Sequence, residues 1–213
     1  MIILKQSDRD ILSGYYGGRL KIYGHDTRSL GWIPGGRKAR FDALARISDL
    51  KGCSVLDVGC GFGDLYGFIS GRGIRIDYTG VDISSEFIEI ARRTYPDAKF
   101  FVADFENDPI PGEYDWAFAA GVFTIRISDN KTFTRNMMRK MFGACRLGIA
   151  VNFLLPTGID SDEYWRPPPE EMLRFCRTLS RRVALRCDYM ADEYCVYIYK
   201  NDVADERNIY EDI

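Results

Sequence analysis

The stretch VLDVGCGFGDL at residues 55–65 decides the fold class of this chain. It begins as an apolar run interrupted by a single acid, Asp57, and Gly59, Gly61 and Gly63 then follow at every second position. Glycines at such a turn let the backbone bend sharply and approach a ligand closely, while the amides of the next helix face that ligand. The stretch therefore predicts a strand, a ligand-binding turn and a helix in succession.

Strand and helix patterns alternate on both sides of this turn. Amphipathic helices are predicted over residues 36–50, 64–70, 85–95, 131–145 and 170–179, and strands over 53–58, 76–82, 99–104, 114–122 and 147–155. Because helices separate these strands, we expect right-handed crossovers and a mostly parallel sheet covered on both faces. Two further strands near 182–189 and 193–200 are only a few residues apart, so they are expected to pair as an antiparallel hairpin. The prediction is a three-layer α/β fold with about seven strands.

The length of 213 residues is expected to form one domain. Within it we expect an N-terminal helical cap segment over residues 1–50, a core over 51–200, and a disordered acidic tail over 201–213.

The amino-acid composition limits which partners this domain is expected to bind and where it is expected to be located. Lys and Arg total 29 against 31 Asp and Glu, so the net charge of -2 provides no strong field for nucleic acid, which is not expected as a partner. No apolar run approaches the roughly 18 residues of a membrane span, and no secretory signal is visible. The six cysteines form no CxxC pair and His25 is the only histidine, so we expect no metal site, free thiols and a cytoplasmic location.

The glycine spacing separates two kinds of nucleotide-binding turn. A dinucleotide-binding GxGxxG beginning at Gly59 needs glycine at position 64, where this chain has Asp64. The observed GxGxG resembles instead the first motif of class I S-adenosylmethionine-dependent methyltransferases, and Asp57 corresponds to the acid before that motif. GVDIS, with Asp82, and VADF, with Asp104, resemble the ends of the second and third strands of that family. The resemblance is specific over about residues 51–125.

The resemblance implies a Rossmann-like sheet that binds S-adenosyl-L-methionine and releases S-adenosyl-L-homocysteine. Asp82 is then expected to accept hydrogen bonds from the ribose hydroxyls, Asp104 to bind the adenine amino group beside Phe105, and residues 120–123 to border the methionine part. The full set of expected cofactor-binding residues is Asp57, Gly59, Gly61, Gly63, Asp82, Ile83, Asp104, Phe105, Gly121, Tyr16 and Arg40.

Two of these assignments have alternatives. Tyr16 or its neighbour Tyr15 is expected against the sulfonium, since aromatic faces attract cations, or else packs as an ordinary core residue. Arg40 or Arg37 is expected to pair with the carboxylate of the methionine part, or else to lie on a solvated helix face.

The methyl acceptor is expected to be a small molecule. The chain lacks the (D/N/S)PP(Y/F) signature of amino-group methyltransferases and the Pro-Cys pair of cytosine-C5 enzymes. A tRNA or protein methyltransferase and a catalytically silent cofactor-binding protein remain alternatives, and both a monomer and a homodimer remain open. No general base stands out; His25 is a candidate because it is the only imidazole, and a surface position is the alternative.

A candidate acceptor wall follows the fifth strand. Tyr164 and Trp165 are suited to stacking a planar substrate and Arg166 to holding an anionic group. Asn152, within the predicted fifth strand, is expected to point either into the site or into a loop contact. A rigid proline-rich elbow is the alternative interpretation of residues 152–171.

Overall fold

The computed structural model describes residues 4–32, 35–110, 112–156 and 162–201. Within these ranges the helices are α1 (Gln6–Tyr23), α2 (Gly36–Ala45), α3 (Asp64–Ser70), α4 (Ser85–Thr94), α5 (Asn130–Ala144) and α6 (Pro169–Cys176). The strands are β1 (Ser54–Val58), β2 (Asp77–Asp82), β3 (Lys99–Val102), β4 (Tyr114–Ala119), β5 (Cys145–Leu154), β6 (Val183–Arg186) and β7 (Glu193–Tyr199). The tail predicted to be disordered lies, from residue 202 onward, outside the described residues.

The seven strands form one sheet in the order β3-β2-β1-β4-β5-β7-β6. The first five strands in that order are parallel, and β7 pairs antiparallel with both β5 and β6. The predicted parallel sheet and its terminal antiparallel hairpin are therefore confirmed. Val58 pairs with Val81, so the glycine turn after β1 begins beside the end of β2.

Helices cover both faces of the sheet, as the three-layer prediction requires. On one face Leu56 and Val58 pack in a cluster that includes Met138 of α5 and residues of α6. On the other face Val55 belongs to a second cluster that includes residues of α2, α3 and α4. Successive residues of β1 point to opposite faces, and both faces are apolar because both are buried.

Local sequence sets the ends of two helices. Ser84 is the N-cap of α4, where its Oγ accepts a hydrogen bond from the Phe87 amide at 3.2 Å. The prediction that α2 extends to residue 50 is wrong, because the helix ends at Ala45. The Asp49 side chain accepts a hydrogen bond from the Lys51 amide at 3.0 Å, a local turn that competes with the helix, while Ile47 and Leu50 remain in the core.

The N-terminal helix α1 lies across the carboxyl edge of the sheet. Asp8 is buried and accepts hydrogen bonds from the Ser128 amide at 2.9 Å and from the Ser128 hydroxyl at 2.7 Å. Arg9 forms an ion pair with Asp104 at 2.5 Å. These contacts tie α1 to the loops that follow β4 and β3. No helix in the described part of the chain is long and apolar enough to cross a membrane.

Candidate functional site

A cavity of about 430 Å³ opens where β1, β2 and β3 end, and α1 forms its outer wall. Open α/β sheets bind ligands at this edge. Among the residues predicted to bind the cofactor, all except Gly63 and Arg40 line the cavity; the lining members are Asp57, Gly59, Gly61, Asp82, Ile83, Asp104, Phe105, Gly121 and Tyr16. Five chain segments that are distant in sequence therefore meet at one site.

The glycine turn presents bare backbone to this cavity. Gly59 and Gly61 have φ values of +70° and +53°, in the left-handed region that favours glycine. A Cβ atom on Gly59 would lie 2.5 Å from Cγ2 of Val122, so a side chain has no room there. Gly63 has a different role, because a Cβ atom on it would lie 2.6 Å from the Phe100 ring; its lack of a side chain allows α3 to pack close to β3.

Asp57 brings a buried carboxyl group to the cavity wall. Its Oδ2 accepts a hydrogen bond from the Tyr78 hydroxyl at 2.6 Å, whereas its Oδ1 is buried and has no hydrogen-bond partner in the described residues. Burial raises the pKa of Asp57 to about 7, although the bond from Tyr78 opposes that shift. Since buried polar atoms are nearly always hydrogen-bonded, Oδ1 is an open acceptor for a ligand donor.

Asp82 connects the glycine turn to β2. Its Oδ2 accepts a hydrogen bond from the Gly61 amide and its Oδ1 from the Ser84 amide, each at 2.9 Å. Burial raises the pKa of Asp82, and these backbone bonds oppose the shift. The next residue, Ile83, is 59% exposed although it is apolar, and it forms part of the cavity rim. A carboxylate beside an exposed apolar side chain suits a sugar with an attached planar ring.

Asp104 is in contact with α1. Besides its ion pair with Arg9, Asp104 accepts hydrogen bonds from the Asn107 side chain at 2.8 Å and from the Glu106 amide at 3.1 Å. Burial acts to raise the pKa of Asp104, but the bonds from Asn107 and Arg9 outweigh burial and lower it. Sequence reasoning did not find Arg9, because nothing near residue 9 distinguishes it from a solvated arginine.

A second pocket, of about 130 Å³, adjoins the cavity. Tyr16, Leu30, Trp32 and Gly121 line both spaces and therefore form the junction between them. The remaining lining of the smaller pocket includes Tyr15, Arg40, Tyr164, Arg166, Asp192 and Glu193. Of the predicted acceptor residues, the structure thus brings Tyr164 and Arg166 to this pocket, and of the two tyrosines at the predicted lid only Tyr16 reaches both spaces.

A chain of buried polar groups runs from the smaller pocket to the junction. Arg40 is 7% exposed and donates hydrogen bonds from Nε to both carboxylate oxygens of Glu193, at 3.0 and 2.9 Å. The Asn152 amide nitrogen donates to Glu193 at 2.8 Å, and the Asn152 amide oxygen accepts from the Gly121 amide at 2.7 Å. Arg40 is therefore not on a solvated helix face. Arg37 is exposed and pairs with Asp64 at 2.9 Å.

Of the candidate acceptor and catalytic residues, three lie outside the lining of both spaces. Asn152 belongs to the buried chain just described. Trp165 packs edge-on against Phe153, with ring centroids 6.3 Å apart. His25 is exposed, and its ring packs edge-on against Phe62 at 4.8 Å.

Comparisons with known proteins agree with this geometry. A family model described as a methyltransferase domain matches residues 55–142. The protein Rv1506c of Mycobacterium tuberculosis, which is named as a methyltransferase, is 29% identical over 158 residues, or 69% of this chain and 93% of that protein. The trans-aconitate 2-methyltransferase of Afipia carboxidovorans is 33% identical over 87 residues, but these are 41% of this chain and 34% of that enzyme.

A solved structure extends the likeness to nearly the whole chain. The magnesium protoporphyrin IX methyltransferase of Synechocystis, solved with bound S-adenosylmethionine, aligns with a TM-score of 0.67 and 16% identity, over 94% of this chain and all of that one. At this level of identity the alignment shows that the two proteins have the same fold.

Proposed function

We propose that the chain is a class I S-adenosylmethionine-dependent methyltransferase, like the proteins that it resembles, and that it transfers the methyl group of this cofactor to a small-molecule acceptor. The observation that carries the proposal is the pair of adjoining spaces: a cavity of about 430 Å³ that has the family's motif residues in its wall, and a smaller pocket that meets it at Tyr16 and Gly121. The larger space is assigned to the cofactor and the smaller one to the acceptor.

The residues of the larger cavity fit an adenosyl amino acid. The unpartnered Oδ1 of Asp57 is an acceptor for the cofactor's amino group, and the bare backbone at Gly59 leaves room for close approach. Asp82 is positioned to accept hydrogen bonds from two ribose hydroxyls, and a charged acceptor makes those bonds stronger than neutral ones. Ile83 and Phe105 provide apolar surface in the cavity that Asp104 also lines.

The bound cofactor supplies an electrophilic methyl group on a positively charged sulfur. The protein's part is to align the acceptor with that group and to exclude water, which is where most of the rate gain of such a displacement arises. Residues of α1, including Arg9 and Tyr16, cover the cavity. Burial raises the pKa of Tyr16 at the junction and of Tyr15 in the smaller pocket, so both phenols stay protonated and orient the acceptor by hydrogen bonds and ring contacts.

The small size of the acceptor is supported by three observations. The pocket of about 130 Å³ has room for part of a metabolite. The relatives named for trans-aconitate and magnesium protoporphyrin act on small molecules. The net charge of -2 offers no general attraction for nucleic acid. We place the reaction in the cytoplasm, with the free cysteines as support, since free thiols are typical of that compartment.

Calorimetry tests the cofactor half of the proposal. The protein should bind S-adenosylhomocysteine and not NADH, and Asp82→Asn should weaken that binding. Saturable binding of NADH with none of S-adenosylhomocysteine would overturn the assignment of the larger cavity.

Incubation with methyl-labelled cofactor and size-fractionated cell extract tests the acceptor half. Label is expected in the metabolite fraction. Label that becomes soluble after treatment with ribonuclease or protease would favour the tRNA or protein alternative, and binding of cofactor without any incorporation would favour the catalytically silent one.

A further inference from the structure

We propose that the acceptor carries a carboxylate which binds to Arg166 and Arg40 in the smaller pocket, while a separate atom of the acceptor receives the methyl group at the junction. This inference rests on the proposed function, because it names the chemical class of the acceptor for that same site.

Arg166 carries an uncompensated positive charge into the pocket. It is partly buried, its Nη1 donates to the Leu155 carbonyl at 2.9 Å, and its Nε is buried without a hydrogen-bond partner. No acidic side chain in the described ranges lies within ion-pair distance of Arg166. A guanidinium in this state gains most from an anionic ligand with two oxygens, because its planar donors match that geometry.

Arg40 adds a second unsatisfied donor to the same pocket. Its Nε and Nη2 bond to Glu193, but its Nη1 is buried and has no hydrogen-bond partner in the described residues. The guanidinium also lies over the Trp32 ring, with 4.6 Å from its carbon to the ring centroid, so the group is held in place from two sides. A fixed, buried donor costs little to organise when a ligand binds.

The acidic residues of the pocket do not favour a cationic acceptor. Both oxygens of Glu193 already accept hydrogen bonds, from Arg40 and from Asn152. Asp192 is the other acid of the lining, which it shares with Arg166. The buried side-chain atoms that the described lining leaves without a hydrogen-bond partner are Nε of Arg166 and Nη1 of Arg40, both of them donors, and a carboxylate satisfies them where an ammonium group does not.

Size and position separate the anchoring group from the methylated atom. A cavity of about 150 Å³ holds one benzene molecule, so the pocket of about 130 Å³ takes a carboxylate with a few attached carbons. Arg40 and Arg166 line only this pocket, whereas Tyr16, Leu30, Trp32 and Gly121 also border the cofactor cavity. An acceptor anchored at the arginines extends its remaining part to that junction.

A binding experiment tests the anchor without turnover. With S-adenosylhomocysteine present at saturation, propionate and benzoate are titrated by calorimetry in parallel with propionamide, benzamide and propylamine at pH 8. The carboxylates should bind at least tenfold more tightly than the matching amides, and propylamine should not bind. Carboxylates that bind no better than their amides, or that do not bind, overturn the inference while leaving the proposed function intact.

Variants test whether Arg166 is responsible for the tighter binding of carboxylates. Arg166→Gln should weaken benzoate binding about 10- to 100-fold, the range expected when a charged hydrogen bond is lost, and Arg166→Lys should weaken it less. Arg181→Gln is the matched control, since Arg181 is exposed and lines neither space. Unchanged thermal unfolding midpoints establish that the variants fold. Equal loss in Arg181→Gln would show that the effect is general surface charge and would overturn the inference.

The labelled product gives an independent readout. If a carboxylate anchors the acceptor and another atom is methylated, the product keeps a free carboxylate, which esterification followed by mass spectrometry detects. In Arg166→Gln the KM for that acceptor should rise about 10- to 100-fold with a smaller change in kcat. A labelled product without a free carboxylate contradicts the inference, whereas a complete lack of labelled metabolite contradicts the proposed function instead.

Discussion

Helix α1 is expected to open and close over the cavity, and its glycines allow that motion to be measured. Its only fully buried residue is Asp8, so few apolar contacts hold it to the sheet. Gly14, Gly17 and Gly18 lie inside the helix, and a Cβ atom at any of them would meet nothing within 4 Å. Packing therefore does not require these glycines, and their effect is to lower the local stability of the helix.

The expected size of the effect follows from helix propensity. Glycine in a helix interior is about 1 kcal/mol less favourable than alanine. The double change Gly14→Ala and Gly18→Ala uses two exposed positions and leaves Gly17, which lines the cavity, untouched. It should stabilise the closed helix by about 2 kcal/mol, which lowers the equilibrium constant for opening roughly 30-fold.

Two measurements check this prediction. Hydrogen exchange of the α1 amides should slow by up to roughly 30-fold in the double variant, and stopped-flow dissociation of S-adenosylhomocysteine should slow in parallel if the helix must open for release. Gly143→Ala in α5 is the matched control, because Gly143 is also exposed and unobstructed but lines neither space. Slower exchange with unchanged release would refute the idea that α1 gates the cavity. Slower release in Gly143→Ala would show that overall stability controls the rate.

Three further changes test the cavity wall. The pKa of Asp57 is about 7, and its ionised carboxylate pairs best with an amino group. The affinity for S-adenosylhomocysteine, measured by calorimetry, should therefore increase as the pH rises through 7. Asp57→Asn should remove this dependence of the affinity on pH. Since native Asp57 keeps a proton that the unfolded chain releases from about pH 4, the free energy of unfolding should fall between about pH 4 and 7, and Asp57→Asn should remove that fall in urea titrations. Asp82→Asn should weaken S-adenosylhomocysteine binding about 10- to 100-fold; unchanged affinity in calorimetry would place the ribose elsewhere. Arg9→Gln should speed the release of S-adenosylhomocysteine, measured by stopped flow, at most about fivefold, because a partly exposed ion pair such as Arg9–Asp104 contributes about 1 kcal/mol or less. Slower release would contradict the idea that this ion pair holds α1 closed over the cavity.

The residues of the cavity wall could be predicted from the sequence because each of them belongs to a pattern that spans only a few residues. A run of apolar residues followed by alternating glycines specifies a strand and a sharp turn. The acidic residues that end the apolar runs indicate where each strand ends and which polar side chains lie at that edge of the sheet. Parallel strands end at one edge, so Asp57, Asp82 and Asp104 had to converge once the strand pattern was correct. The order of elements and the antiparallel β7 followed from the same pattern.

The partners of Arg40 could not be predicted in this way. Arginines on an amphipathic helix are usually solvated, and the sequence around residue 40 has no feature that marks burial. Its carboxylate partner, Glu193, begins β7 at the far end of the chain. The sequence leaves Asn152 equally suited to the site or to a loop contact, whereas the antiparallel pairing of β5 with β7 places it opposite Cys195, two residues after Glu193. Contacts that depend on tertiary packing leave no periodic signal.

The buried pair of Arg40 and Glu193 is better explained by positioning than by stability. Taking two charges out of water costs several kcal/mol, which their attraction rarely exceeds by much, so a well-packed apolar pair would stabilise the fold at least as well. The pair does something that an apolar pair does not: Glu193 accepts a hydrogen bond from Asn152, and Asn152 accepts one from the Gly121 amide. Gly121 lines both spaces, and Arg40 lines the smaller pocket. An anion that binds Arg40 is therefore connected, through hydrogen bonds of fixed geometry, to the backbone at the point where the methyl group must cross.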